Sequence, residues 1–254
     1  MEIKIIVATH KPYWMPEDPL YLPLLVGAEG KEIDWQGEKD NTGENISRKN
    51  PHYCELTGLY WAWKNLNADI LGLVHYRRYF SRRFGKKEER LLDSGDVEVA
   101  IQGKDLLLPK KRHYWIETNY SQYVHAHHAV DLERTREILQ EKYPEYVPAF
   151  DRSMKKRCGH RFNMFIMRKD TLDEYCAWLF DILFELERRL DISEYNDVDR
   201  RVFGYVSERL LDVWLMRNEI SYKDIPYIFL EKQNWVVKIA NFLKRKLGGT
   251  NKGS

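Results

Sequence analysis

The segment that most constrains the fold is a nearly continuous apolar run at residues 70–75, ILGLVH. Such a run is typical of a strand covered on both faces, as in the parallel sheets of α/β proteins. Similar short apolar runs lie at residues 3–8 and 161–167. Amphipathic helical patterns alternate with these runs, so the sequence predicts a layered α/β domain.

The remaining predicted elements complete one domain over residues 1–230. Its predicted core is a mixed, mostly parallel central sheet flanked by helices. Further strands are predicted near residues 24–28, 97–101, 105–108 and 227–230, and helices at residues 53–66, 127–142, 172–190 and 200–217. A long polar loop at residues 36–51 stands out, because loops of that length inside a compact domain are usually functional or disordered.

The C-terminal residues have a different pattern. Residues 231–247 alternate apolar side chains with Lys238, Lys244, Arg245 and Lys246, which predicts a basic amphipathic helix. Such a helix either packs on the domain or lies on an anionic membrane surface. Residues 248–254 are predicted to be a disordered tail. No apolar run approaches the ~20 residues that a membrane span needs.

Composition excludes several classes of protein. The three cysteines form no C-x-x-C pair, which argues against a disulfide framework or a zinc site and favours a reduced, cytoplasmic setting. The formal net charge is +2, and acidic residues interrupt the basic stretch at residues 77–90. A nucleic-acid partner is therefore not expected.

The strongest candidate site follows the apolar run directly, at His75-Tyr76-Arg77-Arg78. Ligands of open α/β sheets bind beyond the carboxyl ends of the strands. A guanidinium presents a planar fork that matches phosphate oxygens, so two adjacent arginines favour a diphosphate ligand. The alternative is a solvated basic loop.

Three other groups of residues remain open to two interpretations. The loop that holds Asp40, Asn41 and Asn45 offers hydrogen bonds to a sugar or base, or simply forms turns and caps. Asn163 either contacts a ligand's hydroxyl groups or only begins a strand. Glu208 interrupts an apolar helical pattern, and is either an ion-pair member or a general base.

Two possible metal motifs are weak. The histidines at positions 125, 127 and 128 have no carboxylate or thiol partner at ligand spacing, so structural or surface roles are favoured over zinc binding. Asp197-Val198-Asp199 matches the Asp-x-Asp pattern of many sugar transferases. It lies in a polar linker between two predicted helices rather than after a buried strand, so we interpret it as a false match.

Five blocks of the sequence together resemble one bacterial protein family. They are DNTGENIS at 40–47, YCELTGLYWAWKN at 53–65, GLVHYRRYF at 72–80, NMFIM at 163–167 and FGYVSERL at 203–210. The family is that of capsular and exopolysaccharide glycosyltransferases catalogued as domain of unknown function 4422. The resemblance covers roughly residues 3 to 230.

The resemblance implies a GT-A-like fold and transfer of a sugar from a nucleotide sugar, with UDP-galactofuranose as the leading donor. The acceptor would be a growing, lipid-linked surface polysaccharide such as capsule or O-antigen. The protein would then work in the cytoplasm, in contact with the inner face of the plasma membrane through its C-terminal helix. A carbohydrate- or nucleotide-binding protein without catalysis is the alternative.

Roles follow for particular residues. We expect Arg77 and Arg78 to stabilise the departing UDP and Glu208, with Glu55 as second choice, to act as the base. The donor is expected to contact Thr9, His10, Lys11, Asp40, Asn41, Asn45, His75, Tyr76 and Asn163. The acceptor is expected to contact Trp61, His125 and Met164.

One departure from most GT-A enzymes concerns the metal. Where they carry Asp-x-Asp after the central strand, this chain carries His75-Tyr76-Arg77. A metal ion normally neutralises the leaving diphosphate in such enzymes. Here two arginines are placed to supply that charge, so we predict a transferase that needs neither a metal nor another cofactor.

Overall fold

A computed structural model describes residues 1–231 of the chain. The strands are β1 (Ile3–Thr9), β2 (Tyr21–Leu25), β3 (Glu38–Lys39), β4 (Ile70–His75), β5 (Arg78–Phe80), β6 (Leu106–Pro109), β7 (Arg112–His113), β8 (Cys158–Gly159), β9 (Phe165–Arg168), β10 (Tyr222–Ile225) and β11 (Tyr227–Phe229). The α-helices are α1 (Asn50–Tyr53), α2 (Leu56–Asn65), α3 (Ser94–Ala100), α4 (Asn119–Val124), α5 (Ala129–Lys142), α6 (Val147–Lys155), α7 (Lys169–Arg189) and α8 (Val202–Asn218).

The central sheet is mixed and mostly parallel along its main path. That path runs β10-β6-β9-β4-β1-β2-β3. β4, β1, β2 and β3 are parallel neighbours, as are β10 and β6, whereas β9 is antiparallel to both of its neighbours. β5 pairs with β4 and β11 and continues the sheet off this path. The predicted fold class is therefore confirmed.

Apolar side chains cover both faces of the sheet, as the run at residues 70–75 predicted. Along β4, Leu71 and Leu73 belong to a large core shared with α2 and α5–α8, whereas Ile70 and Val74 face a smaller core that includes α3. Gly72 lets the neighbouring strands approach, because a Cβ there would lie 3.0 Å from the Ile166 side chain. The same Cβ would lie 3.1 Å from Ile5 on the other side, so a larger residue here would require the neighbouring side chains to shift.

Several predicted elements differ from the observed ones. Residues 97–101 were predicted as a strand, and this was wrong. They belong largely to α3, which begins with a capping box in which the side chains of Asp93 and Asp96 each bind the other's backbone N–H. This local start signal outweighs the β-branched composition of the segment. The short strands β3 and β10 were not predicted, because their sequences carry no apolar run.

Two other differences bear on the site. The helix predicted at residues 53–66 is broken into α1 and α2 at Cys54, whose φ is +54°. The strand predicted at residues 161–167 begins only at Phe165, because Phe162 and Asn163 have left-handed φ values of +81° and +50°. The segment after β4 was predicted as a loop, but part of it is β5.

The predicted C-terminal helix over residues 231–247 and the tail over 248–254 lie outside the described residues, apart from Glu231. The boundary of the domain at residue 230 stays a prediction. Within residues 1–231, no helix is both long enough and apolar enough to cross a membrane.

Candidate functional site

A cavity of about 620 Å³ opens where β1 and β4 end. The parallel register places Ala8 beside His75, so both strands deliver their following residues to the same edge of the sheet. Further walls come from the α1–α2 junction, the α4–α5 region, the turn before β9 and the first turns of α8. This is the position in which open α/β sheets bind their ligands.

The charge in the cavity is strongly positive. Its lining includes two glutamates, Glu55 and Glu208, and six arginines: Arg77, Arg78, Arg112, Arg161, Arg201 and Arg209. Three of these arginines form ion pairs with carboxylates, namely Arg77 with Glu231, Arg161 with Asp212 and Arg209 with Glu208. Within residues 1–231 the other three have no carboxylate partner, so the cavity has a surplus of guanidinium donors for an anion.

Each of those three arginines lies over an aromatic ring. The guanidinium carbon of Arg78 is 4.2 Å from the Phe162 ring centre, that of Arg112 is 5.8 Å from Tyr114, and that of Arg201 is 5.7 Å from Tyr205. A ring face stabilises a guanidinium without occupying the N–H groups at its edge. Arg201 also donates from Nε to Cys54 Sγ at 3.0 Å. The cation–π contacts therefore hold the charge in place and leave the remaining N–H groups for a ligand.

Arg78 is the most enclosed of the three. Burial lowers the pKa of its guanidinium, and the nearby carboxylates of Glu55 and Glu208 oppose that shift. Its Nε is buried and has no hydrogen-bond partner in the described part of the chain. An unsatisfied buried donor is costly. A phosphate oxygen in the cavity is the kind of acceptor that would satisfy it.

The two glutamates differ in how their oxygens are used. Glu208 accepts the Phe162 backbone N–H at 3.0 Å on one oxygen and Arg209 at 3.0 Å on the other. Glu55 accepts the Asn163 side-chain amide at 2.8 Å on Oε1. Its Oε2 has no hydrogen-bond partner among residues 1–231. Glu208 is thus fixed on both sides, whereas Glu55 presents an available oxygen.

The left-handed turn at Phe162 and Asn163 joins these groups. Its Phe162 carbonyl accepts a hydrogen bond at 2.5 Å from Nε2 of His75, whose pKa burial lowers. The Asn163 side chain donates to Glu55 and to the Gly204 carbonyl. Positive φ values at two consecutive non-glycine residues are costly and persist only where the surroundings impose them. Such turns cluster at functional sites.

A buried cluster behind the cavity positions Arg161. His160 lies 2.6 Å from Asp212 through Nδ1 and 3.0 Å from Asp224 through Nε2. Burial disfavours its charged form, but these hydrogen bonds outweigh burial and raise the pKa of His160. Asp212 also pairs with Arg161, and Gly159 packs against that pair, where a Cβ would lie 2.5 Å from both side chains.

The wall formed by α4, α5 and α8 is aromatic. His127 stacks on Tyr205 with ring centres 4.3 Å apart and bonds Asp199 at 2.8 Å through Nδ1. Burial lowers the pKa of His127, which favours its neutral form. Flat aromatic faces and neutral polar groups are suited to sugar rings. Asp199 of the Asp-x-Asp pattern is therefore occupied with orienting a histidine.

The structure brings about half of the predicted site residues together. The cavity is lined by Thr9, His10, Glu55, His75, Tyr76, Arg77, Arg78 and Glu208. Asn163 contacts it through Glu55. Seven residues do not line it: Lys11, Asp40, Asn41, Asn45, Trp61, His125 and Met164.

Several of these seven have structural contacts instead. Trp61 is buried and donates to Thr42 at 2.9 Å, and Met164 is fully buried in the core. His125 is exposed and bonds Glu117. Asn45 bonds within its own turn, to the Gly43 carbonyl and the Ser47 N–H.

Sequence reasoning missed Arg112, Arg201 and Arg209. Arg112 and Arg201 lie outside the blocks that carry the resemblance, and Arg209 lies in the block at residues 203–210 without an assigned role. Only the fold brings the three together. Arg161 lies in the segment predicted as a strand at residues 161–167, where only Asn163 and Met164 were predicted to contact a substrate. Among residues 1–231, no group of three or more His, Cys, Asp or Glu side chains is arranged to hold a metal ion.

The chain belongs to the family described as Domain of unknown function (DUF4422), whose model matches residues 4–219. None of the curated proteins compared with the chain matches it. Among solved structures, the apo form of the bifunctional glycosyltransferase WbbM superposes with a TM-score of 0.85 at 31% sequence identity. That alignment covers 91% of this chain and 46% of the WbbM chain, so this chain spans less than half of that protein.

A stability measurement distinguishes structure from ligand binding at Asp40. Its buried carboxylate accepts the N–H groups of Gly27 and Ala28 and the Ser47 hydroxyl. We expect Asp40→Ala to lower the free energy of unfolding by about 3 kcal/mol, because these donors lose their acceptor. Asn41→Ala is the matched control, with an expected change of less than ~0.5 kcal/mol in urea denaturation. Unchanged stability with weakened donor binding would instead indicate a ligand contact.

Proposed function

We propose that the protein is a glycosyltransferase that moves a sugar from a nucleotide sugar to a hydroxyl group of an oligosaccharide acceptor. The single observation that carries this proposal is the arginine-lined cavity at the ends of β1 and β4. Its charge suits a diphosphate, and its aromatic wall suits sugar rings. The similarity to WbbM, which is a bifunctional glycosyltransferase, supports the sugar chemistry that charge alone does not specify.

The nucleotide is proposed to lie beside the ends of β1 and β4. There the His10 and Tyr76 rings are nearly perpendicular, with centres 5.4 Å apart, and the Arg77 guanidinium carbon lies 4.8 Å from the Tyr76 ring centre. Arg78 and Arg201 would then contact the diphosphate. Arg77 already pairs with Glu231, so we assign it the outer side of the nucleotide.

The proposed reaction is an inverting displacement at the anomeric carbon. The bond from that carbon to the diphosphate oxygen breaks, and the nucleoside diphosphate leaves with the electron pair. A bond to the acceptor oxygen forms, and the hydroxyl proton passes to a carboxylate. We assign that role to Glu55, because its Oε2 is available, and assign Glu208 to fixing Arg209 and the turn at Phe162.

The arginines are also proposed to replace a metal ion at the diphosphate. Preorganised guanidinium groups stabilise the developing charge without any rearrangement during the reaction. Following the family resemblance, UDP-galactofuranose is the proposed donor. A lipid-linked surface polysaccharide is the proposed acceptor, and the inner face of the plasma membrane is the proposed setting.

The first test is turnover by the purified protein. We expect it to release UDP slowly from its nucleotide-sugar donor, and faster when an oligosaccharide acceptor is added. Candidate donors are screened by thermal stabilisation, because a ligand that binds only the folded state raises the melting temperature. Excess chelator should leave the rate unchanged. Binding without any UDP release would identify a non-catalytic binder, and loss in chelator with recovery in manganese would contradict metal independence.

The second test concerns Arg78. We expect Arg78→Lys to reduce kcat/KM for the donor at least ~100-fold, because an ammonium keeps the charge but lacks the bidentate fork and the planar stacking. Arg77→Lys is the matched control and should lose less than ~10-fold, since Arg77 already shares its charge with Glu231. An equal decrease of kcat/KM in both variants would contradict the assignment of Arg78 as the main diphosphate contact.

The third test separates the two glutamates. Glu55→Gln keeps the shape of the side chain and an oxygen for Asn163, so the fold and donor affinity should persist while kcat falls ~10²–10⁴-fold. Glu208→Gln should instead lower the melting temperature, because it leaves the buried Arg209 without its carboxylate. Full turnover by Glu55→Gln, with a folded but inactive Glu208→Gln, would reverse the assignment.

A further inference from the structure

An apolar turn projects from the protein beside the cavity, at residues 114–117. Trp115 is 85% exposed and its neighbour Ile116 is 56% exposed. Large apolar side chains that lie together in solvent commonly mark a site of interaction. Tyr114, at the inner end of the same turn, lines the cavity. The turn therefore contributes an exposed apolar tip at one end and a residue of the cavity wall at the other.

Strand pairing and hydrogen bonds hold the turn in place. β7, which precedes it, pairs with β8, and the Tyr114 N–H bonds the Arg157 carbonyl at 2.8 Å. Arg157 in turn donates to the Trp115 carbonyl at 3.3 Å. The turn leads into α4, which begins with a capping box at Thr118. Trp115 itself has a φ of +56°, a costly conformation for a bulky residue. The fold thus imposes strain in a turn that presents an apolar side chain to solvent.

The surroundings of the turn are basic. The exposed residues Lys110, Arg112, His113, Lys156 and Arg157 flank it in the sequence or across the β7–β8 pair. Among residues 1–231 none of them pairs with a carboxylate. The one acidic residue of the turn, Glu117, is bound by His125 at 2.7 Å. The surface therefore combines an apolar tip with an uncompensated positive ring.

We propose that this surface, residues 110–117 with Lys156 and Arg157, docks on an anionic lipid bilayer. Tryptophan and isoleucine enter the boundary between headgroups and acyl chains, while lysine and arginine attract anionic headgroups. The positive ring is complementary in charge to an anionic lipid surface. Because Arg112 and Tyr114 line the cavity, docking turns this wall of the cavity towards the membrane.

Docking would bring the protein close to an acceptor that is anchored in the membrane. A sugar chain that is anchored in the bilayer by a lipid would reach the aromatic wall of the cavity from that side. This step rests on the proposed glycosyl transfer. Binding to the bilayer does not, since it depends only on the surface itself.

The experiment measures co-sedimentation of the full chain with vesicles. Vesicles of phosphatidylglycerol and phosphatidylcholine are compared with vesicles of phosphatidylcholine alone. We expect binding to the anionic vesicles that weakens with salt, and a decrease of at least ~10-fold in the double variant Trp115→Ser with Ile116→Ser. The matched control is Val99→Ser. Val99 is 67% exposed on α3, but its neighbours include Asp96 and Glu98, so its loss should leave binding unchanged.

A further variant, Lys244→Glu with Arg245→Glu, measures the contribution of the C-terminal residues in the same assay. The proposal is overturned if the wild type does not bind, if the Trp115–Ile116 variant binds as well as the wild type, or if only the C-terminal variant loses binding. Self-association that disappears in the Trp115–Ile116 variant would instead identify a second copy of this chain as the occupant.

Turnover on a soluble oligosaccharide separates the two proposals. The Trp115–Ile116 variant should keep the wild-type rate there, because neither side chain lines the cavity. If the wild type binds vesicles but transfers no sugar, the proposed function fails and the docking surface stands. If it transfers sugar without binding vesicles, the docking surface fails and the proposed function stands.

Discussion

The parallel pairing of β1 with β4 is the interaction on which the site depends. With Ala8 beside His75, both strands end at one edge of the sheet, and the residues that follow them face the same cavity. The pairing requires close strands on both sides of β4, which the missing side chain of Gly72 allows. A slip of one residue would reverse every side chain of β4 between the two cores. The position of Arg77 and Arg78, which directly follow β4, is thus fixed by the apolar packing of that strand.

Six guanidinium groups around one cavity repel each other, and two kinds of contact offset this repulsion. Carboxylates neutralise Arg77, Arg161 and Arg209 by direct pairing. All six also lie over aromatic rings, which stabilise a cation but accept nothing from its edge. The arginines paired with carboxylates hold the walls together, whereas the other three have no carboxylate partner among residues 1–231 and keep N–H groups for a ligand. The division explains how a cavity can be both well ordered and short of negative charge.

The predictable part of the site is the part that is continuous in sequence. The apolar run at residues 70–75 and the arginines behind it are adjacent, so strand position and charge could be inferred together. Arg161 precedes β9, whereas Arg201 caps α8 and Arg209 lies within it, and nothing local marks the three as members of one cavity. Glu208 and Glu55 were both candidates, but their ranking depends on which oxygens are already bonded, and only coordinates contain that information.

Local signals also explain the errors in the fold. Residues 97–101 have strand-like composition, but the reciprocal cap between Asp93 and Asp96 starts a helix just before them. The turn at Phe162 and Asn163 was predicted as strand because its side chains are apolar or small and polar. Its left-handed backbone is imposed by contacts with Glu208 and Glu55, which are distant in sequence.

Gly159 shows how such long-range contacts restrict change in the chain. The space that its side chain would fill is taken by the ends of Arg161 and Asp212. A side chain at position 159 would displace the Arg161 guanidinium from the wall of the cavity. Shortening Arg161 would remove one of the cations that pair with the Asp212 carboxylate. The side chains at these positions therefore constrain one another, so the effect of a substitution at one of them depends on the others.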